Sequence, residues 1–134
     1  MRTPSYVVPF QVLLDRIEPS HDAGNGRFEL SREQLYSMIR ALLVSVPVDE
    51  EWYISTYPDV AQAIQDGAIK SAKEHFLSNG YFEGRLPAPL IVDEEFYVSE
   101  YPDVAESLEL GEITSAQEHF ELHGCAEGRQ PFKV

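Results

Sequence analysis

The sequence predicts an all-α fold in which an N-terminal helical arm and one further helix precede two tandem three-helix repeats of about 44 residues. Three observations carry this prediction. The stretch from Val48 to Pro87 returns from Val92 to Pro131 without a gap, with about 23 of 40 aligned positions identical. Helix start and stop signals fall at matching places in both copies. Ahead of the first copy, apolar residues recur at helical spacing between Leu35 and Leu43. The expected organisation is a single domain over 1–134, with the arm and a capping helix in 1–47, the first repeat in 48–87 and the second in 92–131.

In the arm, Phe10, Leu13, Leu14 and Ile17 lie three or four residues apart and Pro9 stands where a first helical turn tolerates it, so a short helix is expected. The alternation Phe10, Val12, Leu14 also fits a strand. The segment EPSHDAGNGR, 18–27, is a loop by its Gly, Asn, Asp and Pro content. The next helix should run from Arg32 to Val44, opened by a Ser31–Gln34 capping box and burying a stripe of Leu35, Met38, Ile39, Leu42 and Leu43. It is expected to cover the first repeat, while the arm from Tyr6 to Ile17 folds over the core or exchanges with a second copy of the chain.

Each repeat then reads as three short helices. Asp49 and Asp93 are N-caps for the first, with Glu50, Glu51, Glu94 and Glu95 at the positive helix end and Val48–Tyr53 and Val92–Tyr97 as hydrophobic staples. Pro58 and Pro102 open the second helix, and Gly67 and Gly111 close it as left-handed caps. The third opens at the capping boxes Ser71–Glu74 and Ser115–Glu118 and is expected to close at Gly80 and Gly124. The tails from Glu83 to Pro87 and from Glu127 to Pro131 each contain a glycine suited to a turn with positive φ. Each also contains an arginine able to bind helix carbonyls or carboxylates. LPAPLI, 86–91, is a stiff extended connector.

Composition excludes several functions. With 23 acidic and 10 basic side chains the formal charge is −13, which repels phosphate backbones and anionic lipid, so no nucleic-acid partner is expected. The single cysteine, Cys125, rules out an intramolecular disulfide and a cysteine-rich metal site. The N-terminal run lacks the form of a signal peptide, and no apolar stretch reaches the length of a membrane-spanning helix. Cytoplasmic residence without membrane insertion is the expectation.

The pattern YPDVA, then a glycine, then SAxxHF, then GxxEGR and proline, resembles a tandem repeat of bacterial proteins, found in large secreted or surface proteins and near glycosyltransferases of polysaccharide synthesis. The resemblance covers Val48–Pro87 and Val92–Pro131. It implies kinship and a setting in polysaccharide production or the cell envelope. The family brings no assigned activity, so it supplies no catalytic residue to carry over.

Among residues able to bear chemistry, His75 and His119 recur in both copies, as a general base or a metal ligand would. Recurrence also fits a packing histidine with one satisfied nitrogen, since a fold must be specified in each copy whereas an active site is assembled once. His119 and His123 are four residues apart on one helical face, a spacing used by zinc ligands, but no third ligand is evident in sequence and the first copy has Asn79 in place of His123. DEEWY and DEEFY lack the alternating oxygen ligands and central glycine of a calcium loop. Phosphate loops and nucleophile elbows are missing too. Tyr81 and Phe82, replaced by Cys125 and Ala126 in the second copy, are expected either to pack against the following repeat or, with Trp52, to form an aromatic patch for a partner.

The expected function is a non-enzymatic protein-interaction or adaptor module of a bacterial assembly, without cofactor or resident metal. Its candidate surface comprises Trp52, Tyr81, Phe82, His75, His119, Arg85 and Arg129. The expected partner is another protein, with a second copy of this chain as one possibility through the arm. A carbohydrate or small-ligand domain, with Trp52, Tyr81 and Phe82 as stacking faces, is the alternative, and an enzyme using His75 or His119 is the third reading.

Overall fold

Short capped segments with apolar residues on one side can bury them only by packing helix on helix. The computed structural model of the chain describes residues 8–15, 25–27 and 29–134, and every regular element among them is helical. The ends of the proposed arm, Tyr6 and Ile17, and most of the 18–27 loop lie outside the described residues. Helix α1 spans Phe10–Leu14 with Pro9 as its N-cap residue, and Leu13 is its buried side chain.

Helix α2, Arg32–Leu43, begins at a complete capping box: Gln34 N–H donates to Ser31 Oγ at 3.1 Å and Ser31 N–H to Gln34 Oε1 at 2.9 Å. Its packing face differs from the expected stripe. Leu35 and Leu42 are 44% and 45% exposed, whereas Tyr36 meets Phe82 at 4.7 Å between ring centroids and Leu43 packs on the first core. Tyr36 and Leu43 are seven residues apart, two helical turns, so they share a face. With Tyr36 and Leu43 facing inward, Leu35 and Leu42 are the members of the stripe left on the outer side of α2.

In the first copy of the duplicated sequence, α3 is Glu50–Thr56, α4 is Pro58–Gln65 and α5 is Ala72–His75. In the second, α6 is Glu94–Glu100, α7 is Pro102–Glu109 and α8 is Ala116–His119. Asp49 and Asp93 accept from the N–H of Trp52 and Phe96 at 3.0 and 3.1 Å, and Pro58 and Pro102 sit in the first turns of α4 and α7. Gly67 and Gly111, just past the ends of those helices, have φ of 75° and 73°.

The third segments depart from expectation. After a single α turn each winds into a π-helix, Phe76–Gly80 and Phe120–Gly124, with i→i+5 bonds such as Tyr81 N–H to Phe76 O at 3.0 Å. Gly80 and Gly124 are buried residues without positive φ, so they are not left-handed caps. Their reason is steric: a Cβ on either would overlap the hydroxyl of Tyr53 or Tyr97.

The capping boxes of α5 and α8 are also only half formed. Ser71 and Ser115 accept from the N–H of Glu74 and Glu118, each at 3.0 Å, but Glu118 turns back to Thr114. Glu50 reaches across from α3 to accept from Ala72 N–H at 2.8 Å and Lys73 N–H at 3.1 Å, and Glu94 accepts from Ala116 N–H at 3.3 Å. A carboxylate on one helix thus caps another.

The chain divides into two compact units, Met1–Ala88 and Pro89–Val134, at a point inside LPAPLI. The first core is Tyr53, Val60, Ala72 and Phe76, and the second is Tyr97, Val104, Ala116 and Phe120. In each unit the tail of the copy returns to its start, through Asp49 N–H to Pro87 O and Asp93 N–H to Pro131 O, both at 2.9 Å.

Candidate functional site

A buried tyrosine needs a partner for its hydroxyl. Tyr53 and Tyr97 each find a histidine twenty-two residues ahead: Tyr53 Oη lies 2.9 Å from His75 Nδ1 and Tyr97 Oη 2.9 Å from His119 Nδ1. Burial pushes the Tyr53 hydroxyl up to about 12 and moves that of Tyr97 in the same direction, so both stay protonated at neutral pH. The repeated histidines are therefore tied to the aromatic cores, with His75 half-buried and His119 at 9% exposure.

The tail arginines are committed as well. Arg85 grips Asp59 through two bonds of 2.9 and 2.7 Å, meets Glu83 at 2.9 Å, and lies 4.8 Å from the centroid of the Tyr57 ring. Arg129 repeats this with Asp103, both bonds 2.8 Å, with Glu127 at 2.8 Å, and over Tyr101 at 4.9 Å. Tyr57 and Tyr101 hydroxyls accept from Leu86 and Gln130 N–H at 3.1 and 2.8 Å. The hydrogen-bonded Arg85 guanidinium holds the Asp59 carboxyl at about 2, and Arg129 lowers Asp103 likewise. Both arginines are raised by the same pairing.

Trp52, Tyr81 and Phe82 do not form one open aromatic face. Half-buried Trp52 meets Tyr57 edge-on at 6.0 Å. Phe82 packs on Tyr36, with the Arg40 guanidinium 5.3 Å from its centroid, and so belongs to the seat of α2. Tyr81 leans edge-on against Phe76 and remains 45% exposed. Half-buried Cys125 packs on the second core.

Comparison with protein-family models, curated proteins and solved structures finds no match for this chain.

The structure brings His119 and His123 together, with ring centroids 5.7 Å apart. Among the described residues no group of three or more His, Cys, Asp and Glu side chains is placed to hold a metal ion, and no helix is long and apolar enough to cross a membrane. Sequence reasoning missed the tyrosine partners of the histidines, the Asp59 and Asp103 partners of the arginines, and the exposed side of α2. The first two had at most the recurrence of their members, which in a gapless duplication holds for every shared pair alike. The third had none, because the aliphatic stripe of α2 reads as a core face.

Proposed function

We propose that this chain is a non-enzymatic protein-interaction module whose docking element is α2. One observation carries the reading: Leu35, Leu42 and Val44 on and just beyond α2 are 44%, 45% and 48% exposed, although their helix is already seated through Tyr36 and Leu43. The repeated polar side chains support it from the other side. His75, His119, Arg85 and Arg129 all bond within their own unit, which is the use expected of fold-specifying residues. The setting is that of the bacterial repeat the sequence resembles, an assembly of polysaccharide production or the envelope, with a cytoplasmic location.

The test compares the wild-type chain with Leu35→Asp/Leu42→Asp as bait in extracts of the native host, after circular dichroism shows both folded. A protein retained by the wild type and released by the variant is expected. Equal retention of every bound protein by both baits refutes α2 as the docking element.

A further inference from the structure

We propose that His119 and His123 form a two-imidazole site for a borderline divalent transition-metal ion, of which zinc is the simplest, built into the second copy of the duplicated sequence and missing from the first. Imidazole is the nitrogen donor such ions favour. At an Zn–N distance of about 2.0–2.1 Å each ring centroid stands roughly 3.2 Å from the ion, so two rings on a tetrahedral ion lie roughly 5 Å apart. The observed 5.7 Å at a 57° interplanar angle needs only a small side-chain adjustment to close. His123 is exposed and has room to make it.

The surroundings of His119 suit a ligand. Tyr97 occupies Nδ1 at 2.9 Å, which leaves Nε2 as the donor and fixes the ring plane. With the ion on Nε2, Nδ1–H donates to Tyr97 Oη, the outer-sphere bond that orients metal-binding histidines. The α8 turn and the π segment after it place residues 119 and 123 on neighbouring turns of one side. The unit itself attracts cations, because Pro89–Val134 carries eleven acidic and two basic side chains. Water completes the coordination, which makes the site exchangeable rather than structural. The first copy supplies a control: His75 has the same tyrosine bond, but position 79 is asparagine.

The experiment titrates the full chain with zinc chloride near neutral pH and follows the histidine ring nitrogens by NMR, for the wild type and for His123→Asn. The substitution installs the residue that the first copy carries in the equivalent π segment, and circular dichroism verifies that the fold is kept. His119 and His123 should shift together and saturate while His75 stays still, and His123→Asn should weaken binding roughly tenfold or more. Three results overturn the proposal: no shift at His119 and His123 at millimolar zinc, an equal response at His75, or undiminished binding in His123→Asn.

Discussion

A methyl group is the smallest side chain an L-residue can carry, and Gly80 has no room for one. Its missing Cβ is the space filled by the Tyr53 hydroxyl, which the His75 ring holds in place. Gly80→Ala is therefore expected to destabilise the first unit by about 1–3 kcal/mol through overpacking, and urea unfolding measures it. Gly67→Ala strains the backbone at φ 75° without any such overlap, so the two variants separate steric from conformational cost. The sequence marks both glycines alike, each just where a helix pattern fades. Only the contact with a tyrosine 27 positions earlier, invisible to local spacing, distinguishes an empty Cβ position from a left-handed one.

At the scale of elements, the tail of each copy is pinned to the first turn of α4 or α7 by an arginine shared between a carboxylate pair and a tyrosine ring. Asp59 has a folded-state value of about 2 against an ordinary 3.8, so it favours the folded state above the ordinary value and loses that contribution as pH falls through about 2. Asp59→Asn should flatten the acid-induced fall in the urea midpoint across this window. A wild-type curve of the same slope as the variant's would disprove the coupling. Asp59 is largely exposed, so the effect is modest. Most helix boundaries were legible because caps, prolines and glycines act within a few residues. The π segments and the cross-helix caps from Glu50 and Glu94 were not, since both depend on which helix lies beside which, and the acidic pairs already had a local explanation at the positive end of α3 and α6.

For the whole molecule, the charge is lopsided: 1–47 carries as many basic as acidic side chains, so the entire −13 belongs to the residues after it. Self-repulsion among exposed carboxylates should then outweigh the few ion pairs. Added salt is expected to raise the melting temperature by a few degrees, and a fall instead would assign the larger share to the Arg85 and Arg129 pairs. All-α architecture was legible at this scale because an aligned duplication preserves helical phase. The division at Ala88 falls within LPAPLI, the stretch between the two copies. The bonds from Asp49 to Pro87 and from Asp93 to Pro131 have a consequence for ancestry. A stretch whose last residue hydrogen-bonds its second has entry and exit at one spot, so a genetic copying event can insert it without rerouting the chain around it. Gain or loss of such a stretch then leaves the path of the neighbouring chain unchanged, although the α2 seat on Phe82 has no equivalent at Ala126 of the second copy.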